Sequence, residues 1–509
     1  MRKAKQFIIN GLAVSGVALF LRFVGMAFNV YVSSVLGAQG MGLLSLVNSV
    51  YTLALTLASS GINLTRTRLC AQALEQKRGK EARRALFGCV LYSLLFGFFS
   101  MFLLLGLSKP IAFGVLGEAR TEGYLRVLAL SLPATALSSC LAGYFTAIRK
   151  VSRSAITSIL SQGVKIALTV FLVSLFGGGS AGVGAILLAS CLSEILGALL
   201  SALLCIPDLK GELRPVGSAL PHLPARICGI ALPVAFAAWV RSALVSAEHV
   251  LIPKGLIKYG AGSDSALATY GMMHGMALPV IFFPTAILSS FTSLLIPEIS
   301  RFHAENKQEE ISASASRMLR ITLLYSIACA AILLFFAEPF GVALYRSLPT
   351  GKMIALFAPL IPVMYLDTAA DSVLKGMGEQ VYCMKINIID AAISLILVYF
   401  LVPRIGVAGY VLTVFLSECF NTVFSILRLC KKIKLSLPLL SSLILPVLCA
   451  IGAAFPAKGL YAPLSTLPAF LSLPLACLVF LAFYCFLLSL TGAFSKNDKR
   501  YFKRLLTGK

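Results

Sequence analysis

Fourteen stretches of roughly twenty residues run nearly free of charge along this chain, at 7–36, 42–65, 85–106, 123–146, 156–176, 183–206, 227–253, 268–297, 318–337, 354–377, 384–403, 407–430, 438–456 and 468–491. A helix rises ~1.5 Å per residue, so ~20 such residues cross the ~30 Å of hydrocarbon in a bilayer. Hydrocarbon offers the backbone no hydrogen-bond partners. Runs of this length must therefore fold as helices that satisfy their own N–H and C=O groups. The bulk composition agrees: the chain is 58% hydrophobic and 13% charged, with a mean hydropathy of +0.91. A water-soluble protein of 509 residues could not hide so much apolar surface. The sequence predicts an all-α, polytopic membrane protein with fourteen transmembrane helices.

A net charge of +24 would, in a soluble protein, suggest a nucleic-acid partner. Its distribution excludes that reading. With the first residues inside, 32 of the 44 Lys and Arg fall on cytoplasmic stretches, 8 on outer loops and 4 within helices. Such a bias places both termini in the cytoplasm and requires an even number of spans. The basic tail from Lys496 to Lys509 then anchors to lipid headgroups. Arg2, Lys3 and Lys5 precede an apolar run too long for a secretory leader and without a small-residue cleavage site, which predicts an uncleaved first helix. The thirteen cysteines are scattered, with no CxxC, and read as small core residues rather than a disulfide or metal framework.

The chain also repeats itself. Residues 132–173 lie over 361–402 without gaps, Pro133 on Pro362, each copy being a helix, a polar turn and a second helix. Leu192-Ser193-Glu194 recurs as Leu416-Ser417-Glu418. A duplicated block of apolar helices is the pattern of a transporter built from two related halves. The Pro- and Gly-rich stretch 207–226 divides them. The expected organisation is therefore an N-terminal lobe (1–206, helices 1–6), a cytoplasmic linker (207–226), a C-terminal lobe (227–430, helices 7–12) and a final segment (431–509). That segment holds two extra, proline-rich helices and the basic tail, giving two pseudo-symmetric six-helix bundles plus two.

Charges within a bilayer cost ~2.5–3.5 kcal/mol each on insertion scales, so each needs a partner or a wet cavity. Arg22 and Arg241 stand on helices 1 and 7 at similar depth, ~22 and ~21 Å from the inner end at 1.5 Å per residue. A guanidinium is always charged and suits two-point capture of phosphate oxygens. Two of them, one from each half, point to an interior cavity for an anionic group. The competing reading pairs Arg241 with Glu248, two turns away on the same face. Lys165 on helix 5 is a further cavity cation, able to hold a second phosphate oxygen. On the corresponding helix 11, Asp390 stands four positions out of step with it.

Among the acids, Asp371 and Lys375 are in the favourable acid-before-base order of a helix pair. Asp367, one turn deeper, is left over as a seat for a proton or a cation. Glu194 and Glu418, each ~18 Å deep at 1.5 Å per residue, either tie helices 6 and 12 to their neighbours or couple an ion. His249 and His274 lack metal spacing and read as satisfied interior histidines. Gly37-Ala-Gln-Gly-Met-Gly42 reads as an outer hairpin between helices 1 and 2, since no strand precedes it. No Walker A, HExxH or GxSxG motif is present. No catalytic residue, cofactor or metal is expected, and the chain does not read as an enzyme.

The runs LRFVGMAFNVYVSSVLGAQGMGLLSLVNSVY, SGINLTRTRL, AEHVLIPKGL, HGMALPVIFFPTAIL and DTAADSVLKGMGEQVYCMKINIID resemble the stage V sporulation protein B branch of the polysaccharide exporter group. That group lies within the multidrug/oligosaccharidyl-lipid/polysaccharide (MOP) exporter superfamily, which also holds the lipid II flippases. The resemblance implies a flippase in the bacterial cytoplasmic membrane. It would carry a polyprenyl-diphosphate-linked oligosaccharide, a cell-envelope precursor, outward by alternating access. Arg22 matches the first-helix arginine thought to engage the diphosphate in lipid II flippases. The family's further arginines on helices 2 and 8 have no mid-membrane match, since Arg66, Arg68 and Arg301 fall at cytoplasmic ends. In the same relatives helices 13 and 14 form a groove for the lipid tail. The partners implied are the lipid-linked sugar, membrane lipid, a coupling H+ or Na+, and envelope-synthesis enzymes. Two other readings use the same residues: a cation-coupled multidrug exporter with Asp367 or Asp371 as its ion site, and a non-transporting scaffold for envelope synthesis.

Overall fold

The computed structural model describes residues 2–62, 65–67, 69–70, 79–148, 150–210, 223–464 and 468–492. Most of the 207–226 linker, most of the 64–80 loop and the basic tail therefore lie outside the described residues. Among those described, every regular element is helical. Twelve helices are long and apolar enough to cross a membrane, or thirteen when the pair Thr121–Ala129 and Leu132–Ala147, bent by 43°, is taken as one span.

The difference from the fourteen expected segments lies in the first two. Both fall within α1, Arg2–Ser59, whose only non-helical residue is Gly37 at φ 66° and ψ −177°. That left-handed φ is open to glycine at no steric cost. The glycine-rich stretch read as an outer hairpin is thus helical on both sides of a one-residue break. The expected helix 8 is also interrupted. Ser263–Tyr270 continues through the wide turn Gly271–Ala277 into Leu278–Phe282, and a new helix, Thr285–Ala304, starts after Pro284. Proline lacks the N–H and crowds the preceding turn, so a helix parts there.

The chain packs as two compact units. The first comprises residues 1–271 and 398–403; the second comprises 272–397 and 404–509. In the first, α1 runs beside α2 (Gly79–Pro110), α3 (Thr121–Ala129), α4 (Leu132–Ala147), α5 (Val151–Phe176), α6 (Gly179–Lys210) and α7 (Leu223–Lys258). Helix α7 is pinned to α1 by Trp239 Nε1 donating to the Thr56 carbonyl (3.2 Å) and Ser246 Oγ donating to the Ser49 carbonyl (2.8 Å). Gly42 packs against the Leu267 carbonyl and Gly271 against that of Ala38, where an added Cβ would come within 2.0 Å of either oxygen. The inner core of this unit gathers Cys70, Cys89, Tyr92, Cys140, Tyr144, Phe145 and Cys205. All thirteen cysteines are free thiols.

In the second unit, Thr285–Ala304 and Gln308–Phe335 pack on Ile361–Gly376, which also packs on Val407–Lys432. The last two helices, Leu445–Leu464 and Ala469–Leu490, lie against Gln308–Phe335, and Tyr484 Oη donates to the Leu324 carbonyl at 3.0 Å. Phe455, on their outer side, is 74% exposed, a position that only lipid makes inexpensive for such a ring. Both repeat copies clamp their polar turn to the end of a later helix. In the first, Arg153 Nη1 donates to the Leu204 carbonyl at 2.8 Å. In the second, Glu379 accepts from Lys432 Nζ (2.8 Å) and Arg428 Nη2 (2.7 Å).

Two predictions follow from this packing. Gly42→Val or Gly271→Ala forces two backbones apart and should cost about 1–3 kcal/mol, the usual penalty of overpacking, read as a lowered melting temperature in detergent. The hydrogen bonds from Lys432 and then Arg428 hold the Glu379 carboxyl below its ordinary range. Its contribution is present above about pH 4.3, the unfolded value, and is lost as pH falls through the lower folded value. Acid-melting curves of Glu379→Gln should lack that component, and an unchanged acid limb would remove the clamp.

Candidate functional site: a polar chamber in the first unit

A chamber of about 350 Å³ opens inside the first unit. Its wall begins on α1, where Gly25, Phe28, Asn29 and Val32 recur at helical spacing and so share one face. Beyond the Gly37 break the same helix adds Leu44, Asn48 and Tyr51. Helix α5 contributes Gln162 and Lys165; α6 contributes Ile186, Leu187, Ser190 and Glu194. An apolar bundle thus surrounds three amides, three hydroxyls from Tyr51, Ser131 and Ser190, one amine and one carboxyl. Such groups survive at membrane depth only where water or a polar ligand reaches them.

The polar groups are held in place. Tyr51 Oη is 2.8 Å from Ser131 Oγ and 3.4 Å from Thr135 Oγ1. Lys165 Nζ sits 5.7 Å from the centroid of the Phe28 ring, within reach of its negative face. Lys165 and Glu194 line the same chamber from neighbouring helices, so it holds one basic and one acidic side chain. An anionic headgroup entering it could take Lys165 as its partner, with the amides and hydroxyls receiving its remaining oxygens.

Of the expected cavity cations, Lys165 lines the chamber. Arg22 is exposed on α1, three residues before Gly25 and seven before Asn29, so it continues the lining face one turn nearer the start of the helix. Arg241 is exposed on α7 and is not part of the lining; Glu248, two turns on, is half-buried. The acids of the second unit are occupied separately. Asp371 pairs with Lys375 at 3.0 Å. Asp367 accepts from Ser425 Oγ at 3.1 Å, and Asp390 from Ser417 Oγ at 2.5 Å. Glu418 is half-buried on Val407–Lys432. His249 Nδ1 is 2.8 Å from Tyr270 Oη, and His274 packs on the Tyr410 ring at 5.2 Å.

Sequence reasoning overlooked Asn29, Asn48, Tyr51 and Gln162, because it searched the helices for charge. Uncharged amides in otherwise apolar spans were the available signal. Arg66 was expected at a cytoplasmic end, with no burial assigned to it. The structure buries it completely, with Nη1 donating to Cys140 Sγ at 3.1 Å and the guanidinium 6.0 Å from the Tyr144 ring centroid. Leu69 and Cys70 join one buried core with Ala82, Ala85, Cys140 and Tyr144, an association between distant segments that no local pattern foretells.

Comparison with known proteins bears on what this chamber serves. Residues 14–171 match the MatE family model, and residues 273–481 match that of the lipid II flippase MurJ. Stage V sporulation protein B of Bacillus subtilis (strain 168) is 24% identical over 426 residues, 81% of each chain. The fold is similar to that of the lipid II flippase MurJ in an inward closed conformation, with a TM-score of 0.73 at 12% identity over 94% of this chain and 99% of that one. It is also similar to an inward-facing multidrug resistance MATE family transporter of the MOP superfamily, with a TM-score of 0.65 at 16% identity over 83% and 98%. Of these, MurJ is named as a lipid II flippase and the MATE protein as a multidrug resistance transporter.

If Lys165 and Glu194 act as a pair, removing either strands the other. Lys165→Met and Glu194→Gln should each lower the melting temperature, and the double variant should recover part of the loss. A double-mutant cycle should return a coupling of about 0.5–3 kcal/mol; additive losses would show that the two groups do not interact.

Proposed function

We propose that this chain, a homologue of stage V sporulation protein B that fits a flippase of the MOP superfamily, moves a polyprenyl-diphosphate-linked oligosaccharide across the bacterial cytoplasmic membrane. Relatives named for lipid-linked substrates support a flippase of lipid-linked precursors in general. The observation that carries the finer reading is the chamber itself, a pocket of amides, hydroxyls and one ammonium inside an apolar bundle. A diphosphate bearing sugars cannot enter hydrocarbon unaided. Here Lys165 and, one turn away, Arg22 offer charge-assisted bonds to phosphate oxygens, while Asn29, Asn48 and Gln162 suit hydroxyl-rich sugars.

The topology we assign is fourteen spans, counting α1 twice across Gly37 and the bent pair once, arranged as six, six and two. The Lys and Arg bias sets both termini in the cytoplasm. Alternating access exposes the headgroup to one side and then the other, while the prenyl tail stays in lipid. Outward movement of an anion is favoured by an inside-negative potential, by ~2.3 kcal/mol per charge per 100 mV. Asp367 and Asp390 are our candidates for a coupling cation, and Asp371 is held by Lys375.

Arg22→Ala should abolish headgroup translocation in reconstituted vesicles while leaving insertion and melting unchanged, and Arg22→Lys should restore part of it. The readout is accessibility of a fluorescent lipid-linked sugar to an external quencher. Full transport by Arg22→Ala would remove that residue from the mechanism.

A further inference from the structure

The second unit holds another cavity, of about 200 Å³, between the helix Thr285–Ala304 and the helix Gln308–Phe335. The turn 305–307 joins them, with Lys307 Nζ 2.7 Å from Glu305 Oε2. The two helices therefore run antiparallel, and residues equally far from the turn lie at the same depth. Glu298 and Ser314 each stand eight residues from Asn306, with Arg317 three further along. At the opposite end Ile287 and Tyr325 are each nineteen residues from it. The cavity is thus polar at the end near the turn and apolar beyond.

Its floor is made by Leu288, Leu295 and Met318, all buried, while Ile287 is 51% exposed and leaves the side open. Tyr325 closes the deep end, its hydroxyl tied to the Pro284 carbonyl at 2.8 Å. From Ile287 to Glu298 the length is ~16 Å at 1.5 Å per residue, enough for most of one acyl chain. The polar end lies ~12 Å above the turn by the same rise, at the depth where headgroup meets hydrocarbon.

The charges at that end select the head. A carboxylate and a guanidinium face the same opening, so neither a simple anion nor a simple cation fits: each would meet a like charge. We propose that this cleft binds one phospholipid with a primary-amine headgroup, its phosphate on Arg317 and Ser314, its ammonium on Glu298, and one tail along Leu295, Met318 and Leu288. The lipid belongs to the leaflet nearest the 305–307 turn, which is the inner one in the topology given above. The site is separate from the polar chamber of the first unit and does not depend on what that chamber carries.

The test uses the full-length protein in mild detergent with equimolar phosphatidylethanolamine, phosphatidylcholine and phosphatidylglycerol, and native mass spectrometry of the retained lipid. Phosphatidylcholine keeps the charges but has no N–H to donate, and phosphatidylglycerol lacks the cation. Wild type should hold phosphatidylethanolamine over the other two by about fivefold, near the net worth of one hydrogen bond. Glu298→Gln, a change at an exposed residue, should abolish that preference and bring phosphatidylethanolamine retention to that of phosphatidylcholine. Met318→Trp should fill the tail channel and reduce retention of all three. Equal retention of the three lipids by wild type, a preference for phosphatidylglycerol, or an ethanolamine preference that survives both substitutions would overturn the proposal.

Discussion

Everything in this structure follows from the absence of hydrogen-bonding solvent around most of the chain. Each backbone N–H and C=O in the hydrocarbon must find its partner within its own segment, and a helix achieves this locally. That constraint leaves side chains free to be almost wholly apolar, and the outer faces are, as Phe455 and Leu490 illustrate. It also makes each interior polar group informative. Asn29, Asn48, Gln162, Lys165 and Glu194 come from three helices, the two asparagines more than a hundred residues from the rest, yet they border one cavity. A polar chamber is what allows them to exist at that depth.

The two stretches that align in the sequence, 132–173 and 361–402, and the helices that follow them differ in electrostatic character. In the first unit the helix pair α5–α6 presents Lys165 opposite Glu194. In the second, the corresponding helices present Asp390, bonded to Ser417, beside a half-buried Glu418. The glutamate is retained in both copies, and the charge on its neighbour is reversed. The turns that precede these helices diverge in the same way. Arg153 caps a backbone carbonyl in one copy, and Glu379 gathers Arg428 and Lys432 in the other. Both solutions lock a turn to the end of a later helix, so geometry is preserved while charge changes.

Much of this was legible in the primary sequence, because transmembrane helices are written as local composition. The runs at 156–176, 384–403 and 407–430 lie within helices Val151–Phe176, Gln380–Ile405 and Val407–Lys432, which extend them only at the ends. Failures came where one residue decides. Pro284 parts the expected eighth helix without leaving a polar gap for hydropathy to register, and the break expected between 36 and 42 shrinks to the single left-handed Gly37. Arg66, expected at a cytoplasmic end, is buried against Tyr144 and Cys140, which its polar neighbours in sequence do not announce.

By itself, the sequence determined that the chain is helical, that it lives in lipid, that it repeats, and which few charges lie within its spans. Those properties are sums over neighbouring residues, and no folding is needed to read them. The tertiary structure alone decided which polar groups share a space. Lys165 sits over Phe28 and shares a chamber with Glu194, while Arg241 lines no part of it, because facing is set by how helices rotate and cross, and that is a property of packing between distant segments.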